Sequence, residues 1–315
     1  MGDFAGADSL SLMTRLSAPT GPGLTRRHTL AALGLPLLGA CGTPLPLVAP
    51  SPGAMAGPGR QRLMDSAMAH GLEAFRRLTD INIGYDGQWR PLINRIQPEV
   101  VDAGFRGPSQ ERLLLAAGIN AQAYTGPMGQ KHVWWRQGSD TVPGEVAVWF
   151  NGQPSREPAP LSAAAVVAEC YRLFLLGPLL LADRALPAQL DGTARVDGRL
   201  CDVVQVWLRP GLGQVAQDRV ALYIDRADSV TRRMLFTLEG FAGTRGAVAE
   251  TTTFDHQQRH GVLWPMRSYE RVAHPLNLPA HDWFVTGLDV NRGYGPEALQ
   301  GPRFSGAAAA PAKAL

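Results

Sequence analysis

Two histidines and an aspartate near residue 256 are the first residues in this sequence whose types and spacing could do chemistry. His256 and His260 are four residues apart and Asp255 precedes them, a set that could ligate a metal ion. Side chains at this spacing share a face only on an ordered helix or strand, and these residues are expected to lie in a polar hairpin turn. The seven histidines have no metal-ligand spacing elsewhere, so we expect no metal site.

Acid–base or nucleophilic catalysis has no recognisable site either. Glu250 or Asp255 could act as a general acid or base, but the sequence places no partner beside either carboxylate. The chain contains no nucleophile-elbow, phosphate-loop or dinucleotide-binding motif. We therefore expect a protein that is not an enzyme and that has no cofactor.

Cys170 and Cys201 are the two cysteines in the body of the chain. Neither belongs to a C-x-x-C pair, which excludes a thioredoxin-type motif or a zinc knuckle. They could form a disulfide between a helix and a strand, or they could remain buried free thiols. The second interpretation is favoured, because a chain that folds before export does so in a reducing compartment.

The third cysteine, Cys41, ends a segment typical of an export signal. Arg26 and Arg27 precede a short apolar segment, and the run Leu38-Gly39-Ala40-Cys41 resembles a bacterial lipobox. The resemblance implies that residues 1–40 are a signal peptide and that Cys41 is acylated after cleavage. The two arginines are similar to the twin-arginine (Tat) export motif; an ordinary secretory signal that happens to carry two arginines is the alternative.

Composition divides the remainder of the chain and predicts its location. Residues 41–59 are rich in Pro, Gly and Ala and are expected to be an acylated, flexible tether, and residues 296–315 a disordered tail. A net charge of +3 without a basic–aromatic stripe argues against nucleic acid as a partner. The expected location is the cell envelope, on the periplasmic face of a membrane, with the outer membrane slightly favoured because Gly42, not Asp, follows Cys41.

Alternating apolar residues across residues 218–271 predict four consecutive strands joined by short turns. Connections this short cannot join parallel neighbours, so the strands form an antiparallel meander. Further strands are expected on both sides of this segment, with a tight turn at Asp86-Gly87. Two apolar periodic segments predict helices at residues 60–78 and 158–184, the second with an N-cap at Ser162 and a break at Gly177-Pro178.

This order of elements resembles the LolA/LppX-like superfamily of periplasmic lipoprotein carriers. The segment Phe254-Asp255-His256, a turn, and then Gly261-Val262-Leu263-Trp264-Pro265 is similar to the penultimate hairpin of that family. The resemblance implies an α+β, mostly antiparallel fold over residues 60–295: an unclosed half β-barrel whose helices act as lids over an apolar groove. The lipobox and tether depart from the diffusing carriers and point to a membrane-tethered binder.

The leading hypothesis is that the groove holds a lipid or the acyl chain of a lipoprotein. The predicted lining residues lie on the second helix and in the meander: Leu173, Phe174, Met234, Phe236, Leu238 and Trp264. The alternative is an envelope interaction module whose core is filled by side chains and which takes no small ligand. A hydrolase using Asp255 or His256 is a third interpretation.

Overall fold

The computed structural model describes residues 45, 46, 48–139, 142, 144–304 and 308–312 of the 315-residue chain. The predicted signal peptide with Arg26 and Arg27, and the predicted acylation site Cys41, lie outside these residues and stay predictions.

Thirteen strands form one antiparallel sheet in the described part of the chain. Its order is β6-β5-β4-β3-β2-β1-β13-β12-β11-β10-β9-β8-β7, so the first and last strands pair in the middle. The strands are β1 Asp80–Trp89, β2 Ser109–Leu114, β3 Ile119–Gly126, β4 Gly129–Arg136, β5 Glu145–Phe150, β6 Gln153–Pro154, β7 Ala188–Val196, β8 Arg199–Leu208, β9 Asp218–Asp225, β10 Thr231–Thr237, β11 Val248–Arg259, β12 Val262–His274 and β13 Leu278–Val290.

The sheet does not close into a barrel. β6 and β7 stand at opposite ends of the order, and each has a single strand neighbour within the described ranges. Helices at residues 58–69, 158–176 and 178–182 pack against one face, which we call the inner face. The prediction of an α+β, mostly antiparallel, unclosed half-barrel with helical lids is therefore confirmed.

Six α-helices lie in the described ranges: α1 Pro58–Ala69, α2 Leu72–Phe75, α3 Pro91–Ile96, α4 Pro98–Val101, α5 Pro158–Leu176 and α6 Pro178–Ala182. The predicted first helix divides into α1 and α2 at Gly71, which has a left-handed φ of 89°. The N-cap of α5 is Glu157 and not Ser162, because Pro158 is pre-organised for the first helical position and starts the helix earlier.

The break after α5 occurs where the sequence predicts it. Gly177 has φ 48° and ψ −120°, a conformation that essentially only glycine adopts, and Pro178 starts α6. Every residue of α5 from Ala163 to Leu176 is buried. By length and hydropathy α5 could also cross a membrane, but 78% of that window is buried inside the protein, as in a core helix.

The four-strand meander corresponds to β9 to β12, with one correction at its longest hairpin. β11 continues through Asp255 and His256 to Arg259, and the turn is at His260-Gly261. The prediction of a polar turn at Asp255 was wrong, because pairing with β12 satisfies the backbone there despite the polar side chains.

The predicted turn at Asp86-Gly87 was also wrong. Both residues lie inside β1 and pair with Phe284 and Trp283 of β13. A side chain on Gly87 would collide with the backbone of Asp282 and Trp283, so this glycine permits close approach of two strands.

The described parts of the predicted tether and tail are both held against the sheet, the tether on its outer face and the tail beside β13. Leu45 is 1% exposed in a cluster with Val203 and Leu235, and Trp207 Nε1 donates to the carbonyl of Val48 at 2.9 Å. Residues 308–312 run beside β13, and the Leu288 amide donates to the Ala310 carbonyl at 2.8 Å. Low charge and many small residues predict a flexible tether and tail, but apolar contacts and backbone hydrogen bonds hold their described parts against the sheet.

Candidate ligand site on the inner face of the sheet

The predicted lining residues come together beneath α5. Leu173 and Phe174 project from α5, Met234 and Phe236 from β10, and Trp264 from β12, and each is at most 1% exposed. The rings of Phe174 and Phe236 have centroids 5.3 Å apart. Leu238, just beyond the end of β10, is partly buried against the same cluster. The structure thus gathers all six residues; contact with a lipid stays a prediction.

Strand periodicity accounts for this convergence. Met234 and Phe236 are two residues apart on β10, so they share the inner face with their partners Leu222 and Val220 on β9. Trp264 can be fully buried because its indole Nε1 donates to the Arg259 carbonyl at 3.0 Å across the hairpin. We call this region of the inner face the apolar half.

The apolar half is closed in this structure. The cavity beside Gly177, Phe174 and Met234 measures about 10 Å³, at most the space of one water molecule. An acyl chain can therefore enter only if α5 and α6 move away from the sheet.

His70 holds the end of α1 against β10 and β12. It lies at the end of α1, where its Nε2 accepts a hydrogen bond from the Thr231 amide at 3.1 Å and its Nδ1 lies 3.3 Å from the Leu263 carbonyl. Both ring nitrogens are thus committed in the neutral form. Burial, with the nearby His256 ring 6.0 Å away, lowers the pKa of His70 to about 4.

His256 is the residue that sequence reasoning assigned to a solvated turn. It points inward instead, and burial followed by the charge of Arg232 lowers its pKa to about 4. Asp255, its neighbour in the chain, is exposed and has φ 52°, and no hydrogen bond joins the two side chains in the described part of the chain. Among the described residues no three His, Cys, Asp or Glu side chains converge as metal ligands.

A second region of the inner face, the polar half, was not predicted from the sequence. It is formed by β1, β2 and β3 together with β12 and β13, and its buried side chains are polar or aromatic: Tyr85, Glu111, Gln122, Tyr124, Ser268, Glu270, His281 and Trp283. Cross-strand pairing aligns them, since Glu111 lies opposite Gln122 and Ser268 opposite Trp283.

Tyr171 of α5 covers the polar half. Its ring stacks on Trp283 at a centroid distance of 5.5 Å and meets the edge of Tyr85 at 5.6 Å. Its hydroxyl lies 3.5 Å from His281 Nδ1. Tyr171 and Phe174 are three residues apart and lie on one face of α5, so a single helix covers both halves.

Arg106, from the loop after α4, brings a charge into the polar half. Its Nε and Nη2 donate to the carbonyls of Val101 and Val100 at 3.2 and 3.1 Å, and its guanidinium lies 4.3 Å from the centroid of the Tyr124 ring. Burial raises the pKa of Glu111 and that of Glu270 to about 8, although the charge of Arg106 opposes both shifts.

A second small cavity, also about 10 Å³, lies between Arg106 and the aromatic rings of this region. The two cavities flank the Tyr171–Phe174 turn of α5, one toward each half of the inner face. Movement of α5 would therefore open both at once.

Both cysteines of the body are free and buried, Cys170 on α5 and Cys201 on β8. Burial raises the pKa of the Cys170 thiol well above its ordinary value, so it is a packing residue and not a nucleophile.

No family model and no curated protein sequence matches this chain. Several solved structures do. A DUF1329 family protein from Desulfovibrio piger has a TM-score of 0.47 at 9% identity, covering 78% of this chain and all of that chain. A LolA superfamily protein from Nitrosomonas europaea has a TM-score of 0.47 at 11% identity, covering 78% of this chain and 98% of that chain.

The lipoprotein LppX from Mycobacterium tuberculosis also matches, with a TM-score of 0.23 at 14% identity, covering 57% of this chain and 89% of that chain. The matched structures thus include the LolA and LppX proteins whose pattern this sequence resembles. At these identities and TM-scores, the matches say nothing about a ligand, partner or location of this chain.

Proposed function

We propose that this protein is a non-enzymatic, membrane-tethered binder that holds the acyl chain of a lipid or lipoprotein between the apolar half and the α5–α6 lid. The observation that supports this most is an unclosed sheet whose apolar inner face is covered by helices, of which the longest, α5, ends at Gly177. Binding would require only that the lid swings away and that the chain takes its place.

The energies of opening and binding are of the same size. Uncovering a fully buried Leu or Phe costs about 1.5–3 kcal/mol, so uncovering about four such side chains costs roughly 6–12 kcal/mol. Burying about a dozen methylenes of an acyl chain contributes roughly 10 kcal/mol, at about 0.8 kcal/mol each. An empty open state is therefore disfavoured, whereas an open state that holds a chain is accessible.

The tether is part of the same proposal. Acylation at Cys41, after export directed by Arg26 and Arg27, would hold the domain on the periplasmic face of a membrane of the cell envelope, with the outer membrane slightly favoured. Metabolic labelling with a fatty-acid analogue should mark the wild type and not the Cys41→Ala variant. Equal labelling of the two would remove the anchor from the proposal.

Native mass spectrometry of protein purified without detergent tests the binding itself. We expect a co-purifying lipid at one molecule per chain, which a fluorescent acyl probe displaces. Absence of lipid together with no uptake of the probe would refute the proposal.

The small cavities favour a second candidate, the interaction module with a filled core. Each cavity measures only about 10 Å³, as expected if side chains alone fill the inner face. In that case the protein should co-purify with another envelope protein, bind no acyl probe, and retain its small cavities when its structure is determined after extraction from cells.

A further inference from the structure

Arg106 is a half-buried cation that forms no ion pair among the described residues. Two of its donors bind main-chain carbonyls, but the third nitrogen, Nη1, is buried and makes no hydrogen bond within the described ranges. Asp102, the carboxylate whose charge acts on Arg106, is paired with Lys131, and burial holds Glu111 and Glu270 in their neutral forms. A buried charge without a counter-charge is costly, and proteins usually pair it.

Three further donors are unpartnered in the same place. The hydroxyls of Tyr85 and Tyr124 and the indole Nε1 of Trp283 are at most 3% exposed by residue, and none makes a hydrogen bond with the described part of the chain. The guanidinium carbon of Arg106 lies 4.3 Å from the centroid of the Tyr124 ring. All four residues line the cavity of about 10 Å³ beneath Tyr171, which we call the Arg106 chamber.

Unpartnered buried donors are rare in native proteins, because each costs about 1–3 kcal/mol. Four such donors line one cavity, and the described part of the chain supplies no hydrogen-bond acceptor for them. A water molecule could accept two of these hydrogen bonds, but it would leave the guanidinium charge uncompensated.

We infer that the Arg106 chamber binds the compact anionic head of the acyl ligand, a carboxylate or a phosphate monoester. The chain of that ligand runs past Tyr171 and Phe174 into the apolar half. The inference rests on the proposed function, since the chamber becomes accessible only when α5 moves. A cationic head would be repelled by the charge of Arg106, and a neutral head would leave that charge unpaired.

Other titratable groups determine how this site responds to pH. Asp86 and His281 line the chamber, and burial keeps His281 uncharged by lowering its pKa well below 6.5. Glu111 and Glu270 lie outside this lining and are mostly neutral at pH 7. Lys131 pairs with Asp102 at 2.5 Å, so those charges cancel beside the chamber. Burial also raises the pKa values of the facing phenols, so these remain neutral: Tyr85, Tyr124 and Tyr171.

Above pH 8 both glutamates ionise, which adds two negative charges to the polar half that contains Arg106. The affinity for an anionic head should therefore decline between pH 7 and pH 9, whereas the affinity for a neutral head should not.

Four ligands with the same sixteen-carbon chain test the inference: hexadecanoate, hexadecyl phosphate, hexadecanol and hexadecylamine. Their affinities are measured by displacement of a fluorescent acyl probe from the wild type, Arg106→Gln and the control Arg245→Gln, whose side chain is exposed. In the wild type, at least one of the two anions should bind at least about tenfold more tightly than the alcohol, and the amine more weakly, as expected for a charge-assisted hydrogen bond. The stronger of the two anions identifies the head.

Arg106→Gln should abolish the preference for the anion and leave the affinity for hexadecanol unchanged, and Arg245→Gln should alter neither. Equal affinities for both anions and the alcohol in the wild type would overturn the inference, as would an equal loss for acid and alcohol in Arg106→Gln, which indicates a structural role. If that variant does not fold, the wild-type ratio of hexadecanoate to hexadecanol affinity decides: it should fall between pH 7 and 9, and a constant ratio contradicts the inference. Failure of all four ligands to bind would instead contradict the proposed function.

Discussion

The two halves of the inner face are covered by the same helix but are built on opposite principles. In the apolar half, α5 places Phe174 against Phe236, and the buried indole of Trp264 has a hydrogen-bond partner. In the polar half, three residues earlier, α5 places Tyr171 against Tyr85 and Trp283, whose hydroxyl and indole nitrogen lack hydrogen-bond partners among the described residues. The comparison suggests that the first half supplies stability and the second supplies selectivity.

Truncating the apolar half should have the largest effect. Phe236→Ala should lower the free energy of unfolding by about 3–5 kcal/mol, because it leaves a cavity in a region that is otherwise filled. Phe284→Ala, at a residue that is 48% exposed on β13, is the matched control and should cost less than about 1 kcal/mol. Denaturant unfolding of both variants measures the difference; similar losses would mean that the apolar half is not the stabilising region.

Acid should weaken the attachment of α1 to the sheet. The folded-state pKa of His70 is about 4, below the ordinary 6.5, so the stabilisation by its neutral form is complete above pH 6.5 and is lost as the pH falls toward 4. Protonation would set an N–H against the Thr231 amide. We expect a loss of up to about 3 kcal/mol in the free energy of unfolding between pH 7 and pH 4.

Variants separate this effect from general acid sensitivity. His70→Gln should lose less stability than the wild type over that pH range, while His260→Gln, at an exposed hairpin tip, should behave as the wild type. A wild-type acid dependence that persists undiminished in His70→Gln would assign it to other groups.

The polar half should respond in the opposite direction. The folded-state pKa of Glu111 is about 8, above the ordinary 4.5, so its contribution is present below pH 4.5 and is lost as the pH rises to about 8. Glu111→Gln should therefore be more stable than the wild type by about 4 kcal/mol at pH 8 and nearly equal to it at pH 4.5. Unfolding curves at the two pH values, with the exposed Glu99→Gln as control, measure this. A pH-independent difference would mean that Glu111 is already ionised in the folded protein.

A smaller effect is expected at the joint between α5 and α6. Gly177→Ala should cost about 1–2 kcal/mol, because the residue has a positive φ, and the nearest atom to the added methyl group, Met234 Sδ, is 3.8 Å away and would not collide with it. Thermal unfolding measures the loss. Gly192→Ala, on the exposed edge strand β7 and also at positive φ, is the control for the backbone penalty alone. If Gly177→Ala were as stable as the wild type, the break would not be under conformational constraint.

The sequence predicted the apolar half far better than the polar half, for a physical reason. Alternation from Val220 to Ile224 and the break at Gly177-Pro178 are local signals, and both identify a buried face and a lid. The polar half depends on β1 pairing with both β2 and β13, which brings Glu111 and Trp283 onto one face over a long sequence separation. Periodicity marks which residues share a face of one strand but not which strands are neighbours.

The same limit explains the other errors. Gly87 carries the composition of a turn, and only the close approach of Trp283 shows why a strand needs it. Leu45 stands in a Pro- and Gly-rich segment, and only the presence of Val203 on the outer face shows why it is buried.

The central claim is that the α5–α6 lid opens to admit an acyl chain to the apolar half. Photolabelling with a fatty acid that bears a diazirine at its terminal carbon tests it most directly, with peptide mapping by mass spectrometry. We expect labelled residues among Phe174, Met234 and Phe236, and competition by unlabelled hexadecanoate. Labelling confined to exposed residues such as Phe284, or no competition, would contradict the account.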